Sequence, residues 1–202
     1  MADGTYIARR TQGAPGAPLL FTFHGTGGDE NQFHDFAHGL LPDAHVISPR
    51  GDVSEHGALR YFRRTGEGRY DMADLAARTA AMATFIATEK DRVAPSHTLA
   101  LGYSNGANIL ASVAFAQPKL VDTLVLLHPL IPFDPPSQPG LMGRRVLITA
   151  GRRDPICPAP LTEQLAAYLT AQGADVTLHW HAGGHEIAQS ELGAIHDMVN
   201  AD

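Results

Sequence analysis

Within the 202-residue sequence, the segment that most restricts the fold is Gly102-Tyr103-Ser104-Asn105-Gly106, a G-x-S-x-G pentapeptide. It follows the apolar run 98–103 directly and leads straight into a helical pattern beginning at Ala107. A serine at this spacing sits on a tight strand-to-helix turn, where side chains two residues to either side would collide with neighbouring backbone, hence the glycines. Its hydroxyl is pushed out at the head of a helix, where free amides and the positive end of the dipole stabilise a developing oxyanion. The pentapeptide therefore requires a buried strand followed at once by a packed helix.

The rest of the chain repeats that unit. Short runs rich in branched and aromatic residues at 19–24, 45–48, 98–103, 123–127, 145–150 and 176–180 read as buried strands. Helical patterns lie between them. Asp29-x-x-Gln32 has the spacing of a capping box for a helix through Leu40, and Asp71 opens an Ala-rich helix through Lys90. Residues 105–115, 160–171 and 186–199 complete the set, and residues 50–70 read as the longest irregular stretch. Strands apolar along their whole length, alternating with helices, imply an α/β chain whose mostly parallel central sheet is covered by helices on both faces. The length suits one domain over residues 1–202.

Composition excludes several functions. With 44% hydrophobic and 18% charged residues, the chain matches neither a disordered polymer nor a membrane protein. A net charge of −6 gives no attraction to phosphate backbones or anionic lipid, so neither nucleic acid nor membrane is expected as a partner. The single cysteine, Cys157, excludes an intrachain disulfide, and the N-terminus lacks the apolar core of a signal peptide. The expected location is the cytoplasm; a homodimer is left open.

A serine hydroxyl needs a base, an orienting carboxylate and a second oxyanion donor, with the order Ser…Asp…His expected in this setting. Asp154 follows the run 145–150 in Gly151-Arg-Arg-Asp-Pro155, and His185 follows the run 176–180 in Gly183-Gly184-His185-Glu186. Positions 104, 154 and 185 run in the required order. Asp134, Asp122 and Asp175 are rivals for the acid. Gly25-Thr26-Gly27-Gly28 follows the first strand run, so the oxyanion hole is assigned to the amides of Thr26 and Asn105. Neither phosphate-loop glycine pattern is present there.

Other residues have competing readings. His179-x-His181 with His185 would suit zinc, but His185 already has a role beside Ser104 and Asp154, so no metal is expected. Cys157 reads as a small buried hydrophobe, and His24 as a structural residue holding the loop after the first strand run. The arginines of 50–70 either reach an anionic group of a substrate or, as the favoured reading, form salt bridges pinning the loop to the acidic start of the Asp71 helix. Tyr61, Phe62, Arg63, Ile131 and Phe133 are the expected substrate contacts.

His24-Gly25-Thr26-Gly27-Gly28-Asp29-Glu30, Ser48-Pro49-Arg50-Gly51, Tyr61-Phe62-Arg63-Arg64 with Glu67-Gly68, Gly102 to Asn108, and Gly183 to Glu186 occur in order along the chain. Together they resemble the phospholipase/carboxylesterase family of α/β-hydrolases, most closely its hydroquinone-associated carboxylesterase branch, over about residues 19–190. The resemblance implies an α/β-hydrolase fold without a cap domain, a Ser104–Asp154–His185 triad and an esterase that uses no cofactor. A relative, dienelactone hydrolase, carries cysteine where this chain has Ser104, which argues against its lactone chemistry. Acyl-protein thioesterases have glutamine where Asn105 stands, which argues against depalmitoylation. The expected function is a serine carboxylesterase for small soluble esters. Alternatives are a thioesterase or lysophospholipase with the same triad, or a binding protein that retains the fold without catalysis.

Overall fold

The computed structural model describes residues 5–200. Seven strands form the central sheet: β1 (Ala8–Thr11), β2 (Leu19–Phe23), β3 (His45–Pro49), β8 (Thr98–Tyr103), β9 (Thr123–Leu127), β10 (Arg145–Gly151) and β11 (Asp175–His181). Two short hairpins, β4 (Val53–Glu55) with β5 (Ala58–Arg60) and β6 (Arg64–Gly66) with β7 (Arg69–Tyr70), stand apart from it. The sheet order is β1-β3-β2-β8-β9-β10-β11, parallel throughout except that β1 runs antiparallel to β3. From β2 the chain passes to β3 on one side and returns to β8 on the other. The crevice between the carboxyl ends of β2 and β8 is therefore a topological switch point, where ligands bind in open α/β sheets.

The fully buried central strands send alternate residues to two cores. Leu19, Phe21 and Phe23 face the layer of α2 (Met72–Val93), α3 (Asn105–Ala116) and α4 (Ala159–Ala171), whereas Leu20 faces that of α1 (His34–Leu40) and α5 (Gln189–Asn200). This is the α/β-hydrolase fold. Residues 128–144, between β9 and β10, hold one 3-10 turn and no cap domain. No helix among the described residues is long and apolar enough to cross a membrane.

Four sequence expectations differ from this picture. The edge strand β1 is Ala-Arg-Arg-Thr and lacks an apolar run; its arginines instead pair with Asp35 and Glu89, and such charges blunt a sheet edge. Asp29 and Gln32 do not form a capping box. The Asp29 carboxylate accepts from the Asn31 amide, Gln32 Oε1 accepts from the Gly25 amide, and α1 starts only at His34. Helix α5 starts at Gln189 rather than Glu186, because the Glu186 carboxylate turns back onto the Gly184 amide at 3.0 Å. Finally, residues 50–70 hold the two hairpins, held by Arg50–Glu30, Arg64–Glu55 and Arg63–Asp71 pairs.

Candidate active site

The turn from β8 into α3 gives Ser104 a φ of 52°, in the left-handed region that non-glycine residues rarely occupy. The Ser104 amide donates to the Leu127 carbonyl at 2.8 Å, which ties the turn to β9. A methyl group on Gly102 would lie 2.6 Å from the Gly106 carbonyl oxygen, so only glycine lets the helix fold back this closely. The strain is held by packing on both sides, as it is at functional turns generally.

Two loops at the same carboxyl edge of the sheet bring partners to Ser104. The loop after β10 and the loop after β11 abut through backbone: a methyl on Gly151 would stand 2.0 Å from the Gly184 carbonyl oxygen. His185 Nε2 lies 2.9 Å from Ser104 Oγ, and His185 Nδ1 lies 2.7 Å from Asp154 Oδ2. The Tyr103 hydroxyl donates to the His185 carbonyl at 2.8 Å, fixing the loop. Asp154 Oδ1 accepts the amides of Ile156 and Cys157 at 2.8 and 2.9 Å. Burial opposes ionisation of Asp154, but the Cys157 amide, His128, His185 and the Ile156 amide together hold its carboxyl below the usual range. The rival acids lie elsewhere. Asp134 accepts from Gln164, Asp122 pairs with Arg144, and Asp175 is exposed at the start of β11.

The proposed oxyanion donors lie beside this row. The amides of Gly25, Gly27 and Gly28 are taken by Gln32 Oε1, the Leu59 carbonyl and the Gly25 carbonyl. The Thr26 amide has no acceptor among the described residues, and neither has that of Asn105 at the N-terminus of α3. Two free amides flanking a serine can receive an oxyanion. Arg60 Nη1 donates to Thr26 Oγ1 at 2.7 Å, and Asn105 Oδ1 accepts the Tyr61 amide at 2.7 Å, so both positions are fixed from below. His24 secures the same loop: its Nε2 accepts the Gly51 amide at 2.9 Å, so its protonated Nδ1 donates to the Gly25 carbonyl at 2.7 Å. Burial pushes His24 towards the neutral form that this pattern requires.

Ser104, His185, Thr26 and Asn105 open on a cavity of about 320 Å³. Its walls are Arg60, Arg64, Tyr70, Asn108, Leu130 and Ile156. The expected contacts are different. Tyr61 and Phe62 are 1% and 0% exposed and lie in the core, because β5 leads both rings beneath the sheet edge, where burial of an aromatic ring gains most. Arg63 points outward to Asp71 and Asp74. Ile131 is buried, and Phe133 lines a separate apolar groove of about 650 Å³ between α2 and α3 that includes none of Ser104, Asp154 and His185. Cys157 is buried on the cavity wall with its thiol pushed well up by burial.

Sequence reasoning missed His128 and Glu191. His128 follows β9 at the same sheet edge and is fully buried, with Nδ1 3.0 Å from Asp154 Oδ2 and Nε2 3.1 Å from Glu191 Oε1. The signal available was its place at a strand's carboxyl end. The buried triple His128–His181–Glu191 and the partly buried triple His128–Asp154–His185 each bring nitrogen and carboxylate atoms close together; His179, by contrast, turns to Ser190.

Residues 60–193 match the dienelactone hydrolase family. The chain is 38% identical over 175 residues to the MhqD hydrolase of Bacillus subtilis (strain 168), covering 86% of this chain and 88% of that protein. Among solved structures it resembles Atu2452 of Agrobacterium tumefaciens (strain C58), of unknown function, with a TM-score of 0.93 and 53% identity over 100% of this chain and 98% of that one. It also resembles a Bacillus cereus carboxylesterase, with a TM-score of 0.90 and 35% identity over 95% and 92% of the two chains. On these matches the chain belongs to the dienelactone hydrolase family, among relatives that include carboxylesterases.

Proposed function

We propose that this protein is a serine carboxylesterase that hydrolyses small, soluble carboxylic esters through an acyl-enzyme on Ser104. The observation that carries the reading is the series Ser104 Oγ–His185 Nε2 at 2.9 Å and His185 Nδ1–Asp154 Oδ2 at 2.7 Å, set at a strained turn beside two free amides. Ser104 Oγ attacks the ester carbonyl while His185 takes its proton, and the oxyanion rests on the Thr26 and Asn105 amides. The imidazolium then protonates the departing alcohol. Water attacks the acyl-enzyme by the same route in reverse, and Asp154 fixes the ring throughout.

Cavity size supports a small substrate, since about 320 Å³ is at the low end for ligand sites. Arg60, Arg64 and Asn108 place polar groups on the wall beside Leu130 and Ile156, which suits a soluble ester better than a lipid chain. Each further methylene gains about 0.8 kcal/mol only where it is buried. With p-nitrophenyl esters below their aggregation limits, kcat/KM should peak from acetate to butyrate and decline by octanoate. A maximum at decanoate or longer would overturn the small-ester reading and favour a lipid or thioester substrate.

A further inference from the structure

Asp154 Oδ2 takes two imidazoles, not one. On one side is His185 at 2.7 Å, and on the other the fully buried His128 at 3.0 Å, whose far nitrogen meets Glu191 Oε1 at 3.1 Å. Glu191 is itself 0% exposed, accepts the Ala188 amide and lies 3.4 Å from His181 Nε2. Asp154 and Glu191 are both held towards the ionised form, in which a carboxylate only accepts, so the ring between them donates from both nitrogens. A second histidine and a second carboxylate deep in the molecule are not needed for the reaction described above. Burying them is costly unless they act together.

We propose that His128 and Glu191 are positioning residues for the triad, clamping Asp154 Oδ2 and sharing its negative charge between two imidazoles. The groups facing His128 are Asp154 and Cys157 from the loop after β10, Tyr103 from β8, His181 from β11, His185 from the next loop and Glu191 from α5. Burial keeps the Cys157 thiol and the Tyr103 phenol protonated, the phenol pushed up to about 12. Burial also disfavours a charged His128, but Glu191 and Asp154 outweigh it and raise its affinity for a proton; both carboxyls are lowered in turn. The cluster Asp154–His128–Glu191 then carries one net negative charge with the positive ring next to Asp154. His128 thus tempers the field that Asp154 exerts on His185.

Removing that positive ring exposes His185 to the full carboxylate charge and makes its protonated form easier to reach. In His128→Gln, which leaves Asp154 and Glu191 both uncompensated, the acid limb of the kcat/KM profile should move to higher pH by about one unit, lowering the rate on that limb about tenfold; in Glu191→Gln, His128 loses one of the two carboxylates that hold its second proton and becomes neutral, so the limb should move the same way by less. In His128→Gln/Glu191→Gln the shift should match that of Glu191→Gln alone instead of adding, because both leave Asp154 as the one charge of the cluster. Folded variants whose acid limb stays where it is in the wild type would overturn the proposal, leaving a packing role only. Should the single variants not fold, the double variant reads the same limb without an unpaired buried charge. The wild-type protein gives a second readout. 15N NMR of the His128 ring at neutral pH should show both nitrogens protonated, and a neutral single tautomer would overturn the proposal. The inference rests on the triad reading of Ser104, His185 and Asp154. If the wild type hydrolysed no ester, that reading would fail, while the NMR result would still decide whether His128 bridges two carboxylates.

Discussion

A methyl group on Gly106 would stand 2.3 Å from the carbonyl oxygen of Phe23, so α3 lies directly against the backbone of β2. That contact sets the distance between the two free amides, since Asn105 opens α3 and Thr26 follows β2. Gly106→Ala should push the two elements apart, destabilise the fold by roughly 1–3 kcal/mol and cost most of the activity. Gly193, inside α5, has nothing within 4 Å of a built methyl, and Gly193→Ala should stabilise by about 0.5–1 kcal/mol. Thermal melts and ester turnover of the pair check both signs. Equal behaviour of the two variants would contradict the packing described.

Asp154→Asn should keep the buried volume but present an amide to His185, favouring the wrong ring tautomer. Turnover should drop by a factor on the order of 10⁴, as when the acid of such a triad is replaced. Asp134→Asn should leave kcat near wild type, because Asp134 bonds Gln164 at the surface, away from Ser104. The reverse pattern in steady-state kinetics would assign the acid to Asp134.

The buried cluster also makes stability depend on pH in two directions. His128 is raised, so its contribution is complete below the ordinary histidine value of about 6.5 and is lost as pH rises through its folded value. Asp154 and Glu191 are lowered, so theirs is complete above about 4–4.5 and is lost as pH falls through their folded values. Urea unfolding across pH should therefore show a plateau in mildly acidic solution with losses on both sides. The alkaline loss should shrink in His128→Gln. An identical alkaline loss in wild type and variant would mean that His128 is not held charged.

Most of the sheet was legible because its central strands are apolar along their whole length: the runs 98–103 and 123–127 coincide with β8 and β9. Strand β1 was not, since Arg9 and Arg10 owe their place to partners in α1 and α2. Ser104, Asp154 and His185 could be picked out as candidates because each stands in a glycine-containing loop at the carboxyl end of a strand. Glu191 lies inside a helix, where a carboxylate reads as solvated, and its partner His128 is 63 residues away. The cavity wall was misjudged for a related reason. Which of Tyr61, Phe62, Arg64 and Tyr70 meets the cavity depends on how two small hairpins pack, and local pattern does not encode that.

An activated Ser104 should react as a nucleophile where other serines do not. The most direct measurement is reaction of the intact protein with an organophosphate, followed by mass spectrometry of its peptides, because only a serine with a working base is phosphorylated quickly. One adduct per chain is expected on Ser104, formed together with loss of esterase activity, and none in folded His185→Ala on the same timescale. A folded wild-type protein that takes up no label, or one labelled at another serine while Ser104→Ala still hydrolyses esters at the wild-type rate, would contradict this expectation.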